Sequence, residues 1–189
     1  MTTYSLREQL DILFANVNAA IVSYTCWTTL HSINGNEPIE KTVYESYNHF
    51  FGVVSSALQS KVVMLAYRLL DKRSDVVSFP NIVQQINQEK NLNLSIDNTV
   101  SEIWEYKIKP IRNKSVAHFD AQKKQNEIYS EASLIFGELE FYLDSLKALL
   151  NQMCMIPDFN LVLLWENNQV KKDTIRLLQD LHEHTQKII

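Results

Sequence analysis

Hydrophobic residues recur along most of the chain at steps of three and four positions, the spacing that places them on one face of an α-helix. This pattern predicts a first helix over residues 4–32 and a second over residues 42–72. A shorter helix is predicted over residues 79–90, because Ser78 can serve as its N-cap and Pro80 falls in its first turn, where a missing N–H costs nothing. The first half of the chain is therefore expected to consist of helices separated by short breaks.

The helical pattern continues through the second half with one interruption. A fourth helix begins after Asp97 or Thr99 and meets Pro110, which has no N–H to donate to the carbonyl four residues earlier, so the helix is expected to kink or restart there. The longest helix is predicted over residues 125–155 and a last one over residues 169–187. Long antiparallel helices with short connections predict an all-α, up-and-down bundle of about five to six helices.

The order of the elements favours one main domain followed by an extension. Residues 1–155 hold the predicted bundle. Residues 156–189 form a C-terminal extension, expected to pack on the same domain, with a short apolar segment at 159–165 and the terminal helix. The apolar segment fits either a docked, strand-like piece or part of an interface.

Few residues of the types that make tight turns are present, since the 189 residues include 3 Gly and 4 Pro. An all-β domain of this length needs about one turn every ten residues, which so few Gly and Pro cannot supply. Neither common Gly-rich phosphate loop occurs, so a dinucleotide-binding fold and a P-loop enzyme are not supported. Composition thus agrees with the all-α prediction and removes two large classes of enzyme.

The sequence gives no sign of secretion or of a membrane span. Cys26 and Cys154 each fall inside a helical pattern and form no CxxC pair, which suits a reducing compartment. The N-terminus lacks the basic and apolar regions of a signal peptide, and no run approaches about 18 uninterrupted apolar residues. A cytoplasmic protein that does not bind membranes is expected.

Charge is distributed unevenly along the chain. The net charge is −4, yet residues 107–124 carry six Lys or Arg side chains against one acid, Asp120, for a local charge of +5. A basic segment on an acidic body can attract a polyanion locally. The same pattern is also typical of a solvated, Lys-rich helix end.

The five histidines do not form a metal-binding pattern. His182 and His184 would lie about 200° apart on a helix, so they cannot bind one metal ion from one face. No HExxH pattern occurs. Neither a metal nor another cofactor is expected.

One segment combines an arginine, an asparagine and a histidine at close spacing. Residues 111–120 read Ile-Arg-Asn-Lys-Ser-Val-Ala-His-Phe-Asp, so His118 lies six positions after Arg112 and an asparagine follows the arginine. An imidazole can accept or return a proton near neutral pH, and a guanidinium suits the extra charge on a pentacoordinate phosphorane. Arg176 and His182 share the spacing, but their stretch lies within a regular helix and is interpreted as a solvated face.

This segment resembles the R-x4-6-H hallmark of the HEPN superfamily (higher eukaryotes and prokaryotes nucleotide-binding), in which Asn, Asp or His usually follows the Arg. The fuller string from Ile111 to Asp120 is most similar to the abortive-infection (Abi) group of that superfamily. The stretch Arg68-Leu-Leu-Asp71, which ends the second predicted helix, is also similar to that group. The resemblance covers residues 1–155.

The resemblance implies a helical, often homodimeric, metal-independent endoribonuclease that acts as a toxin or anti-phage effector. In such enzymes the Arg/His motifs of two copies meet near the dimer axis and form one composite site, and the 2′-OH of RNA supplies the nucleophile. By this resemblance His118 is the general acid/base, Arg112 stabilises the phosphate and Asn113 is a polar orienter. The other expected site residues are Lys107, Lys109 and Lys114 on RNA phosphates, with Arg68, Asp71 and Asp120 in support.

Two other functions remain open. A non-catalytic helical module would bind nucleotide, RNA or a protein without turnover, and a structural bundle would serve only dimerisation, with residues 159–165 at the interface. An antitoxin or another defence-system protein is a further expected partner. HEPN toxins that a nucleotidyltransferase silences carry a tyrosine two residues after the histidine; Asp120 stands at that position here, so this mode of control is not expected.

Overall fold

The structure is a computed structural model that describes residues 4–31, 45–116, 125–159 and 161–188. Across these residues it contains seven helices and no β-strand, and 79% of it is helical. The helices in chain order are α1 Leu6–His31, α2 Asn48–Leu69, α3 Phe79–Lys90, α4 98–116, α5 Gln125–Ala132, α6 Phe136–Cys154 and α7 Asn167–Ile188. The all-α class predicted from the hydrophobic pattern is confirmed.

The contacts divide the chain into two compact units. The first unit is Met1–Ala20 with Val63–Leu164, and the second unit is Ile21–Val62 with Trp165–Ile189. The candidate site residues that the structure describes all belong to the first unit. The predicted domain boundary after residue 155 stays a prediction.

The core of the first unit is built from apolar side chains of α1, α2, α3, α4 and α6. Those with no exposed surface are Leu10, Leu13, Val17, Ala20, Ala66, Phe79, Ile82, Ile86, Val100, Ile108, Ile111, Tyr142, Leu150 and Met153. Their removal from water is the main force that assembles these helices.

Two aromatic side chains hold the C-terminal turn of α2. Carbonyls in the last turn of a helix lose their intrahelical N–H partners and need other donors. The hydroxyl of Tyr142 on α6 donates to the carbonyl oxygen of Ala66 at 2.8 Å, and Nε1 of Trp104 on α4 donates to that of Tyr67 at 2.9 Å. The first bond ties the end of α2 to α6, and the second ties it to α4, the helix that carries Arg112.

Helix α4 contains two π-helical turns. Asn98–Ile103 is α-helical, Trp104–Ile108 is π-helical, Lys109–Ile111 is α-helical again and Arg112–Val116 is π-helical. The helix therefore continues through Pro110 rather than restarting after it. The widened turn before the proline accommodates a residue that donates no backbone hydrogen bond, and such π turns are frequent at functional sites.

Two predicted helix starts are resolved by the capping contacts. Asp97 rather than Thr99 caps α4, since its carboxylate accepts the Thr99 N–H at 2.7 Å. Ser78 occupies the N-cap of α3 in an extended conformation, as predicted. Its buried hydroxyl has no hydrogen-bond partner in the described part of the chain, so the cap is one of backbone geometry only.

The single helix predicted over residues 125–155 is two helices in the structure. Ser133 ends α5 in the left-handed conformation, with φ of 49°, and its N–H donates to the carbonyl of Tyr129 at 3.1 Å. The N–H of Ile135 then donates to the Glu138 carboxylate at 3.2 Å, which starts α6. The prediction of one helix was wrong because the hydrophobic spacing runs on through the break, where neither Gly nor Pro stands.

The second unit has a smaller apolar cluster. Leu30, Phe51 and Leu178 are buried together, one from each of α1, α2 and α7. Beside this cluster Nε2 of His31 lies 2.8 Å from the hydroxyl of Ser55, and burial lowers the pKa of His31. The second unit thus has an apolar core of its own.

The segment between α6 and α7 has no regular structure over residues 161–166. Residue 160 lies outside the described residues. Val162 and Leu164 are exposed, so the part of the predicted apolar segment that the structure describes leaves two of its apolar side chains in solvent.

One helix in the described residues, α2, is long and apolar enough by composition to cross a membrane. Its most apolar window is 22% buried within the chain. Length and composition alone are weak evidence, because helices of proteins that never enter a membrane meet the same criterion. The expectation that the chain does not bind membranes stays a prediction.

Candidate functional site

The predicted site residues are divided between the described and the undescribed parts of the chain. His118 and Asp120 lie outside the described residues. The three lysines, Arg112 and Asn113 lie on α4, and Arg68 and Asp71 lie at the end of α2. The structure thus describes the arginine side of the predicted motif.

Arg112 is half-buried at the start of the second π-helical turn of α4. Its guanidinium carbon lies over the ring of Tyr67, 4.6 Å from the ring centre. Its Nη1 donates to Oδ1 of Asn113 at 3.0 Å. The buried Nε makes no hydrogen bond in the part of the chain that the structure describes. The guanidinium is therefore held on one face and at one edge.

The Arg112 contact is one end of a stack of four side chains. The Tyr67 ring stacks on the ring of Trp104, with centroids 5.5 Å apart and planes 22° from parallel. The ammonium of Lys109 lies 5.2 Å from the centre of the Trp104 ring. Two cations thus lie against two stacked aromatic rings, an arrangement that the negative faces of the rings favour.

The residue before Arg112 fixes the rotation of α4. Ile111 has no exposed surface and is buried in one cluster with Val63 of α2 and Ala132 of α5. Consecutive helical residues point in directions about 100° apart, so burying Ile111 sets the direction of Arg112 as well. This packing holds Arg112 in its position beside Tyr67.

Two of the three lysines predicted to bind RNA are paired with glutamates. Lys107 lies 2.5 Å from a carboxylate oxygen of Glu138 and also donates to the carbonyl of Ser133 at 3.1 Å. Lys109 lies 2.5 Å from a carboxylate oxygen of Glu105, one turn earlier on α4. The hydrogen bond from Lys107 lowers the pKa of Glu138. The basic segment is therefore partly neutralised within the chain.

Lys114 differs from the other two lysines. It is exposed and makes no ion pair with the residues that the structure describes. It lies two positions after Arg112 on α4, so the two side chains project from different sides of the helix. Of the three lysines predicted to bind RNA, Lys114 is the one whose charge no carboxylate in the described residues neutralises.

The contacts of Asp71 lie within the turn that follows α2. Its side chain is 5% exposed and accepts the N–H of Arg73 at 3.1 Å and the Nε of Arg73 at 3.1 Å. This pairing raises the pKa of Arg73. Arg68 is exposed in the last turn of α2. Asp71 therefore closes the turn after α2, close in sequence to Tyr67, and Arg68 is open to solvent.

Two surface grooves flank α4. The larger, of about 460 Å³, is lined by Tyr106 and Lys107 from α4 and by Glu138 from α6, among others. The second, of about 320 Å³, lies on the side of α2 and α3. Arg112 and Asn113 line neither groove, so neither groove is the predicted site. Within the described residues no group of three or more His, Cys, Asp or Glu side chains is placed to hold a metal ion.

Sequence reasoning missed Tyr67 and Trp104 as neighbours of the arginine. Their aromatic side chains fit the core stripes of two helices, and Trp104 is buried as such a stripe predicts. The contact between Tyr67 and Arg112 joins residues 45 positions apart, which a single sequence does not reveal. The one available signal was the position of Tyr67 directly before Arg68 in the stretch that resembles the Abi group.

Comparison with known protein families finds a match over most of the chain. The family model HEPN_AbiU2, described as AbiU2, matches residues 4–159. No curated protein and no solved structure matches the chain. The family match covers helices α1 to α6, including the Arg112 segment and the end of α2. Because it spans well over half of the chain, this protein belongs to the AbiU2 family of HEPN domain proteins of the abortive-infection type.

Proposed function

We propose that this chain is a metal-independent endoribonuclease that acts as a toxin or anti-phage effector. The observation that carries the proposal is the state of Arg112. Its guanidinium is half-buried, lies over the Tyr67 ring and is bonded to Asn113, while its buried Nε is unpaired within the described residues. A guanidinium held in this way suits the negative charge that builds on a phosphate during phosphoryl transfer.

The reaction needs three roles, and the chain and its substrate can supply all of them. The 2′-OH of RNA attacks the adjacent phosphorus and the 5′-oxygen of the next nucleotide leaves, giving a 2′,3′-cyclic phosphate and a free 5′-OH. His118 takes the proton of the 2′-OH, and an imidazole returns a proton to the leaving oxygen. Arg112 stabilises the pentacoordinate phosphorane, Asn113 orients Arg112, and Lys114 binds a neighbouring phosphate.

The same proposal includes a homodimer. One acid/base group cannot begin as both base and acid, so a second His118 from a partner copy across a two-fold axis would complete the site. The proposed substrate is RNA. An antitoxin or another defence-system protein would control the ribonuclease activity. Mass measurement in solution by light scattering is expected to give two copies; a monomer that cleaves RNA would refute this part.

Incubation of the pure protein with RNA in EDTA tests the activity. Fragments that end in 2′,3′-cyclic phosphate are expected. His118→Ala and Arg112→Ala should each lower the cleavage rate by about a hundredfold or more. Arg176→Ala and His182→Ala are matched controls, because that pair repeats the spacing on α7 and should leave the rate unchanged.

The outcomes separate the proposal from the alternative. Cleavage that requires a divalent metal, or that survives both His118→Ala and Arg112→Ala, would refute the proposal. Binding of RNA without cleavage would favour the non-catalytic binding module. In that case removal of the charge of Lys114 should weaken binding, and the loss should be greatest at low salt.

A further inference from the structure

Within the described residues the guanidinium of Arg112 lies over the ring of Tyr67, here called the platform, and not against an acidic side chain. Its contacts in the described residues are the face of Tyr67 and the amide oxygen of Asn113. No carboxylate forms an ion pair with it in that part of the chain. A carboxylate partner would neutralise the guanidinium and compete with a phosphate for its N–H groups. An aromatic face supports the group and leaves its charge available.

The platform is itself fixed. Tyr67 lies in the last turn of α2, and its carbonyl accepts the Nε1–H of Trp104 at 2.9 Å. Its ring contacts both the ring of Trp104 and the guanidinium of Arg112. Trp104 is buried and contacts Lys109 as well. The Tyr67 ring therefore has little freedom to move, and it restricts the movement of the Arg112 guanidinium as well.

We infer that Tyr67 is a positioning residue for the reaction, and this inference rests on the proposed function. It holds the guanidinium of Arg112 in one orientation while leaving the N–H groups that Asn113 does not bind for the phosphate. The aromatic face does this work, and the Tyr67 hydroxyl is not required. An arginine without this support would sample other rotamers, and a displacement of about 1 Å can cost a hundredfold in rate.

Cleavage kinetics distinguish positioning from simple packing. Tyr67→Leu is expected to lower kcat about 10- to 100-fold with little change in KM, because Arg112 contributes mainly in the transition state. Tyr67→Phe keeps the face and should retain most of the activity. Tyr106→Leu is the matched control, since Tyr106 is 72% exposed on α4 and lies outside the stack; it should cleave like wild type.

A second readout does not depend on catalysis. In wild-type protein the Nε–H and Cδ–H protons of Arg112 should show upfield NMR shifts from the ring current of Tyr67, with Arg112→Lys identifying the signal. Tyr67→Phe should keep the shift and Tyr67→Leu should remove it. The wild-type spectrum alone decides whether the stack exists in solution, even if Tyr67→Leu does not fold; Tyr67→Met then replaces it in the kinetics.

The results separate this inference from the function on which it rests. Wild-type cleavage together with full activity of Tyr67→Leu, or an unshifted Arg112 signal, would overturn the inference and leave the function standing. A Tyr67→Phe variant as defective as Tyr67→Leu would also overturn it, because the hydroxyl would then be the active group. Absence of cleavage in wild type with the shifted signal present would refute the function and, with it, the catalytic part of the inference.

Discussion

Replacing Tyr142 by Phe should destabilise the protein through one buried hydrogen bond. Tyr142 and Ala66 both have no exposed surface, and the hydroxyl donates to the Ala66 carbonyl at 2.8 Å. Removal of the hydroxyl leaves that carbonyl, in the last turn of α2, without its side-chain donor. A lost neutral hydrogen bond of this kind costs about 1–2 kcal/mol, because no water reaches the site to replace it.

The measurement is thermal unfolding followed by circular dichroism. For a chain of this size about 1–2 kcal/mol lowers Tm by roughly 2–8 °C. Tyr106→Phe is the control, because an exposed hydroxyl is solvated in both variants and its loss changes stability by less than about 0.5 kcal/mol. If Tyr142→Phe melts with the control, the hydroxyl does not hold the end of α2.

Ionisation of the same hydroxyl should make the stability of the protein fall at high pH. Burial raises the pKa of Tyr142 well above its ordinary value of 10.0, so the folded state keeps a proton that the unfolded state releases. Stability from this group is complete below pH 10 and falls as the pH rises further. Between pH 9 and pH 11 wild type should therefore lose more stability than Tyr142→Phe; equal losses would contradict the assignment.

Three further results are expected. Ser133→Gly should raise the free energy of unfolding by about 0.5–1 kcal/mol in urea titration, because glycine adopts the positive φ of 49° without strain; a decrease would contradict this reading. The pKa of Glu138 is lowered from its ordinary value of 4.5, so its charge stabilises the fold above that pH and the stabilisation is lost on acidification. Glu138→Gln should therefore flatten the fall in Tm between pH 6 and pH 3, and an unchanged slope would exclude the Lys107 pairing in solution. Burial raises the pKa of Cys154 to about 11, so peptide mapping after iodoacetamide treatment at pH 8 should find Cys154 unlabelled in native protein and labelled after denaturation; rapid native labelling would show that the site opens.

The hydrophobic pattern predicted what local physics determines. The helix over residues 79–90 has the predicted bounds, since a proline in its first turn and the burial of Phe79, Ile82 and Ile86 act within one short stretch. The cap at Asp97, one of the two starts that the sequence left open for α4, is also local, because the carboxylate accepts the N–H two residues on. Sequence spacing contains all the information needed for such features.

The break between α5 and α6 depends on distant residues. Lys107 on α4 binds both the carbonyl of Ser133 at the end of α5 and the carboxylate of Glu138 at the start of α6. This contact spans 31 positions between Lys107 and Glu138 and stabilises a left-handed serine that local propensity disfavours. A periodic pattern cannot report such a contact, so the sequence predicts one helix where the structure has two.

The candidate site divides in the same way. The sequence alone predicts both the Arg112 motif and the family, and the family match confirms the family. The sequence does not predict that Tyr67 supports Arg112 or that Lys107 and Lys109 pair with glutamates. Each of these contacts depends on how α2, α4 and α6 pack or on which rotamer a long side chain adopts. The roles of His118 and Asp120 stay predictions.

The most direct test of the central claim concerns the nucleophile. An RNA cut by the protein in EDTA is synthesised again with a single 2′-deoxy nucleotide on the 5′ side of the mapped cleavage position. If the 2′-OH attacks with the help of His118 and Arg112, cleavage at that bond should disappear while binding of the RNA, measured by fluorescence anisotropy, stays the same. Continued cleavage of the substituted bond would contradict the account.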